Sequence, residues 1–205
     1  MGIKAVLFDL DHTLVDTKED YKFSIFNEVL SYFYKEATAD ETNYFWLNND
    51  REKILAGKGI KIEEFWNKFY EIDNPVLRAS STYAYPDALK LLESIKGKYY
   101  TGIITNAPFN VAKEEAKCLN YEFNAFISVN KGNLKAKPAP DGLLFACELL
   151  NILPKEAVFI GDDLTDMQAA EKANMKGILI DRREKGPNDY LLKISNLLDA
   201  HKFIK

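Results

Sequence analysis

Residues 5–17 read AVLFDLDHTLVDT. A short apolar run leads into Asp9, Asp11 follows two positions later, and Thr13 two after that. A continuous apolar run of this length suits a strand buried on both faces. Such a strand either stops at the surface, where Asp and Thr are ordinary turn residues, or its end is an active site. The rest of the chain separates these readings.

Downstream, strand-like and helix-like text alternates. Runs rich in apolar and β-branched residues recur at 100–105, 125–129, 157–160 and 177–180, each after an amphipathic stretch. Leu89, Leu92 and Ile95 mark a helical period in 86–95, and residues 111–119, 140–150 and 166–173 are spaced similarly. Buried strands that alternate with helices imply an α/β fold, a parallel sheet covered by helices on both faces. Residues 17–83 break the rhythm. They hold no convincing strand, and they carry helical stripes at Phe26, Val29, Leu30 and Phe33 and at Phe65, Trp66 and Phe69. Thr17 is expected to cap the first of these helices, with Asp20 at its third position. The block contains both tryptophans and over half of the aromatic residues, which reads as a small core of its own. The expected organisation is a core domain, 1–16 with 84–205, interrupted by a helical domain, 17–83.

Composition narrows the function. The chain has 205 residues, 47% hydrophobic and 28% charged, as in an ordinary soluble domain. Its net charge of -4 comes from 27 basic and 31 acidic residues with no dense basic cluster, which argues against a nucleic-acid partner. No run approaches the ~18 apolar residues of a membrane span, and the N-terminal run, broken by Asp9, is not a secretory signal. The expected location is cytoplasmic. Cys118 and Cys147 lack metal-ligand spacing and are expected to be reduced, buried hydrophobes.

In a parallel sheet, ligands sit beyond the carboxyl ends of the strands. The first strand delivers Asp9, Asp11 and Thr13 there, and the second Thr105 and Asn106. Lys137 lies in the loop after the third, and Asp162, Asp163 and Asp166 follow the fourth. Each group alone is unremarkable, but all four in this order are hard to obtain by accident. Gathering Asp9, Asp11, Asp162 and Asp163 without a counter-charge costs on the order of several kcal/mol. Hard carboxylate oxygens with no Cys or His among them suit Mg²⁺, which prefers few protein ligands and a substrate phosphate. Thr105 and Lys137 supply a hydroxyl and a point charge for the phosphate oxygens. The residues therefore describe a phosphoryl site with a metal.

FDLDHTLVDT, the ITN of residues 104–106, KPAPDGLLF from Lys137 and VFIGDDLTD from Val158 resemble the four motifs of the haloacid dehalogenase-like superfamily of hydrolases. The resemblance spans the chain. It implies a Rossmann-like core with a helical cap, residues 17–83, inserted after the first motif. Asp9 would be the nucleophile that becomes an aspartyl phosphate, and Asp11 the general acid and base. Asp9, the backbone carbonyl of Asp11 and Asp162 would hold Mg²⁺, with Asp163 and Asp166 as direct ligands or holders of metal-bound water. Thr105, Asn106 and Lys137 would stabilise the transferring phosphoryl group, and Thr13 would shape the loop. His12 stands where many members have glycine and is given no catalytic role.

The expected activity is Mg²⁺-dependent hydrolysis of a small phosphorylated metabolite. A sugar phosphomutase keeps every motif and is the alternative. A dehalogenase needs neither Asp11 nor the acidic cluster, a phospho-accepting signalling module has its acidic pair elsewhere, and a silent scaffold would have lost a motif residue. Neither the substrate nor the oligomeric state is written in these motifs. Selectivity is expected in the polar stretch 48–61, read as a loop with Gly57 and Gly59, where Arg51, Lys53, Lys58 and Lys61 are candidate substrate contacts.

Overall fold

The computed structural model describes residues 2–47, 51–129, 133–182 and 192–204. The chain forms β1 (Ala5–Phe8) and β2 (Val15–Thr17), then α1 (Glu19–Tyr32), α2 (Ala39–Leu47), α3 (Arg51–Gly57), α4 (Ile62–Ile72) and α5 (Pro75–Ser81). After β3 (Thr82–Ala84), strands and helices alternate: α6 (Pro86–Ile95), β4 (Tyr100–Thr105), α7 (Phe109–Glu115), β5 (Ala125–Ser128), α8 (Asp141–Leu150), β6 (Ala157–Gly161), α9 (Leu164–Lys172), β7 (Lys176–Ile180) and β8 (Lys193–Ile194). No helix among the described residues is long and apolar enough to cross a membrane.

Six strands pair in the order β5-β4-β1-β6-β7-β8, every pair parallel. β1 lies inside the sheet, with Phe8 level with Ile103 of β4 on one side and Ile160 of β6 on the other. That register brings the carboxyl ends of the three strands to one edge. Alternation along β1 feeds two cores. Val6 and Phe8 join Ala88, Leu91, Leu92 and Ile95 of α6 on one face; Ala5 and Leu7 join Leu143 and Ala146 of α8 and Ala169 and Ala170 of α9 on the other. Gly142 lets α8 lie close to the sheet, since a β-carbon there would meet Val129 Cγ1 at 2.7 Å and Ile104 Cγ2 at 2.9 Å.

The chain divides into two compact units, Met1–Asp16 with Tyr83–Lys205, and Thr17–Thr82. The ends of the insertion depart from the sequence expectation. Thr17 does not cap α1; Lys18 occupies that position without a side-chain bond. Thr17 belongs to β2, and its hydroxyl lies 3.2 Å from that of Thr82 in β3, 65 residues away. Two three-residue strands stabilised by partners this distant leave no local signal. β8 was likewise unforeseen, being only two residues long. Both cysteines are free thiols, but Cys118 is exposed in a 3-10 turn and only Cys147 is buried.

The helical unit has its own aromatic core. Phe26 stacks on Phe45 at 4.4 Å between ring centroids, and Phe65 packs 5.1 Å from Phe45. Thr38 and Glu41 cap α2 reciprocally, each side chain accepting from the other's N–H. The polar stretch 48–61 is not a continuous loop. Residues 48–50 lie outside the described residues, Arg51–Gly57 is helical, and Leu55 is buried in the aromatic core. Gly59, at φ +75°, supplies the left-handed turn that follows. Arg51 donates to the Phe45 carbonyl and lies over the Trp66 ring, while Lys58 bonds the Glu36 carbonyl and the Glu41 carboxylate. Lys61 pairs with Glu64 at 3.6 Å, so three of the four candidate substrate contacts have partners within their own unit.

Both tryptophans lie in the helical unit. Phe45→Ala is expected to cost that unit about 3–5 kcal/mol. In a urea titration, the tryptophan-fluorescence midpoint should fall markedly while the circular-dichroism transition of the α/β unit moves little.

Candidate active site

The turn after β1 is tightly bonded. The Asp9 N–H continues the ladder to Ile160 O at 2.9 Å. Leu10 O accepts from the N–H groups of Leu14 (2.9 Å) and Val15 (3.1 Å), and the His12 N–H donates to Val15 O at 2.7 Å. This winding holds His12 at φ +58°. Glycine reaches that region without strain and histidine does so more readily than most residues, which is the physical sense of the substitution at this position. His12 Nδ1 lies within ion-pair reach of Asp16 Oδ1 (3.2 Å), although without hydrogen-bond alignment.

Lys137 is the centre of the site. Its buried ammonium donates to Asp9 Oδ1 at 2.7 Å and to Ile104 O at 3.2 Å, and pairs with Asp166 Oδ1 at 2.6 Å. Three donors meet three acceptors, so a phosphate oxygen must share or displace one of them. Asn106 clamps the Lys137 backbone from both sides, accepting from its N–H (3.0 Å) and donating to its carbonyl (3.2 Å). The amide expected to hold phosphate thus also supports the lysine backbone. Thr105 Oγ1 accepts from the Ala107 N–H at 3.0 Å, which shapes the loop after β4 and leaves the hydroxyl proton for another acceptor.

Beyond β6, the three aspartates do different work. Oxygens of Asp9, Asp162 and Asp166 all lie within 4.8 Å of one another. Asp163, expected as a direct ligand or a holder of metal-bound water, stands outside this group. It caps α9, its Oδ1 accepting from Thr165 N at 2.7 Å, while Asp166 Oδ2 accepts from the Asp163 N–H at 3.0 Å. Asp166, expected only in support, is buried between this bond and Lys137. Gly161 makes room for it, since any β-carbon there would collide with the Asp166 carboxylate. Thr13 turns its hydroxyl to Asp162 Oδ1 at 3.3 Å.

Three carboxylates share one ammonium, which leaves two negative charges uncompensated when all are ionised. Burial, then the neighbouring Asp166 and Asp11 carboxylates, push Asp9 up to about 7 even though Lys137 pulls it down. Burial and the charges of Asp9, Asp166 and Asp163 raise Asp162 well above the carboxylate range. Burial disfavours the Lys137 ammonium, but Asp166 and Asp9 outweigh it and hold the lysine charged. A divalent cation would balance the residual charge, and an all-oxygen donor set fits Mg²⁺. Asp9 Oδ2 accepts no hydrogen bond among the described residues.

Several supports had no sequence signal. Lys172 Nζ donates to Pro138 O at 2.9 Å, and Ser128 Oγ to Ala107 O at 2.6 Å. Arg182 donates to the carbonyls of His12 and Thr13. A lysine on a helix or an arginine after a strand is common, and only the fold gives these their targets.

A sheet with a central acidic strand end, a buried lysine and a second acidic strand end defines a hydrolase of the haloacid dehalogenase type. The chain belongs to the haloacid dehalogenase-like hydrolase family, whose model matches residues 6–180. It is 29% identical over 188 residues to the N-acetylmuramic acid 6-phosphate phosphatase of Pseudomonas aeruginosa, covering 86% of this chain and 80% of that protein. It is also 29% identical over 191 residues to the phosphoglycolate phosphatase of Psychrobacter arcticus, covering 85% and 82%. Its fold is similar to that of a subfamily IA haloacid dehalogenase superfamily hydrolase from Geobacter sulfurreducens. That match has a TM-score of 0.74 at 18% identity and covers 99% of this chain and 97% of that one.

Asp162→Asn relieves the crowding at the cost of a metal oxygen. In chelator at pH 8 this variant is expected to melt a few degrees above wild type. Because raised carboxyl pKa values make the folded state bind more protons than the unfolded chain, wild-type stability in chelator should fall as pH rises from about 4 to about 7. The variant should show a shallower fall, and Mg²⁺ should raise the wild-type melting temperature more than that of the variant, all measurable by scanning fluorimetry.

Proposed function

We propose that this chain is a Mg²⁺-dependent phosphatase that hydrolyses small phosphorylated metabolites through a phosphorylated Asp9. The observation that carries this reading is the cluster of Asp9, Asp162 and Asp166 around Lys137, a buried anionic pocket that lacks two positive charges. Two relatives named as phosphatases, for N-acetylmuramic acid 6-phosphate and for phosphoglycolate, support the substrate class.

Asp9 Oδ2 attacks phosphorus, and the bond to the leaving oxygen breaks as the bond to Asp9 forms. Lys137 favours the ionised form of Asp9 against burial and holds the carboxylate in place through Oδ1. Asp11, close enough for its charge to act on Asp9, protonates the departing alkoxide. It then accepts a proton from the water that attacks the acyl phosphate and regenerates Asp9. Thr105 supplies a hydroxyl to the transferring group, and Lys137, with one acceptor exchanged, its charge. Asp9 and Asp162, together with Asp166, would hold Mg²⁺, which would supply positive charge to the carboxylates and to the phosphate oxygens. Positioning and charge neutralisation dominate phosphoryl transfer, so a preformed, buried arrangement of this kind suits it.

Phosphate release from a panel of phosphorylated metabolites tests the reading. Wild type should turn over at least one small phosphomonoester, chelator should abolish the activity and Mg²⁺ restore it. Asp9→Asn should be inactive while remaining folded by circular dichroism. Wild-type-like turnover in that variant, or full activity in chelator, would refute the assignment.

Asp11→Asn should depend on the leaving group. General acid assistance is typically worth 10²–10⁴-fold, and an alkoxide needs it whereas a nitrophenolate barely does. In single-turnover measurements the variant should lose far more on an alkyl phosphate than on nitrophenyl phosphate. Equal losses would give Asp11 a structural role.

A further inference from the structure

Arg182, two residues beyond β7, lies far from every motif in sequence, yet it reaches the turn that carries them. Its Nη2 donates to Thr13 O at 2.8 Å and its Nε to His12 O at 3.3 Å, 169 and 170 residues away. Its Nη1 donates to Asp87 Oδ2 at 2.9 Å. The same Asp87 oxygen accepts from the Leu197 N–H at 2.8 Å, which anchors the carboxylate independently of the arginine. Burial raises the Asp87 carboxyl, but Arg182 and the Leu197 N–H outweigh it and hold it below the ordinary range. The guanidinium carbon sits 3.7 Å from the centroid of the Tyr85 ring. Tyr85 in turn donates from its hydroxyl to Asp16 Oδ2 at 2.9 Å and from its N–H to Leu14 O at 3.0 Å.

We infer that Arg182 is a positioning residue for the hydrolysis proposed above: its guanidinium fixes the His12–Thr13 backbone and, through it, the groups that Asp11 and Thr13 present to the site. The inference rests on that reading of function. The two carbonyls it grips belong to the residues immediately after Asp11. Thr13 passes the constraint on, since its hydroxyl bonds Asp162 Oδ1 at 3.3 Å. The turn also needs an external hold, because His12 occupies the left-handed region at φ +58° and such conformations persist only when surrounding structure over-determines them. Arginine suits the task and lysine does not. A planar fork serves two carbonyls and a carboxylate at once while lying over an aromatic ring, whereas a lysine ammonium is a point charge.

The test is made on the full chain with Mg²⁺, by steady-state kinetics on nitrophenyl phosphate and by titrating Mg²⁺ against melting temperature. Second-layer supports of this kind are typically worth about 10–100-fold in activity or metal affinity. Arg182→Ala is expected to lower kcat by that factor with KM changed less than about threefold, and to raise the Mg²⁺ concentration that half-saturates the thermal shift. Arg182→Lys, which keeps the charge beside Asp87, should melt near wild type yet recover only part of kcat. If the alanine variant does not fold, the lysine variant carries the test, and a kcat equal to wild type would overturn the inference. So would an alanine variant that is less stable but unchanged in kcat and in the Mg²⁺ titration, since that is the behaviour of a purely structural staple. Should wild type hydrolyse no phosphomonoester, the proposed function fails, while the Mg²⁺ titration of the variants still decides the role of Arg182.

Discussion

A single buried ammonium holds the site together. Lys137 reaches across 128 residues to Asp9 and also pairs with Asp166, so one cation joins the end of β1, the loop after β5 and the first turn of α9. Burying an ion costs several kcal/mol even after relaxation, and only close partners offset it. The architecture is arranged to satisfy that need. β1 lies between β4 and β6, so Asp9 emerges beside Ile104 O on one strand and beside the acidic end of the other.

Around this centre the protein places a layer of supporting bonds. Asn106 grips the Lys137 backbone, Lys172 holds the Pro138 carbonyl, Asp163 caps α9, and Thr13 orients Asp162. Arg182 adds its bonds to the His12 and Thr13 carbonyls of the first turn. The layer keeps three like charges closer than they would choose. That arrangement costs stability unless a further positive charge offsets it, and it raises the Asp9 and Asp162 carboxyls.

The helical unit follows a different logic. Its aromatic residues pack on each other, and two of its basic side chains, on Arg51 and Lys58, serve internal bonds. A bundle this small needs large rings to exclude water and polar ties to order its turns.

Period and order along the chain were enough to read the parallel sheet and to single out Asp9, Lys137 and Asp162 as strand-end residues that the fold brings close together. Those features are local: an apolar run of strand length ends in a polar group, and each motif carries its own spacing. What the carboxylates after β6 do was not local. Asp162, Asp163 and Asp166 follow one strand end within a turn of helix, and only the start of α9 decides that Asp163 turns to the helix N-terminus while Asp166 turns in to Lys137. The same holds for β2 with β3, for β8, and for Arg182. Their partners lie far along the chain, and a hydrogen bond that closes over so many residues exists only once the sheet has brought its ends together.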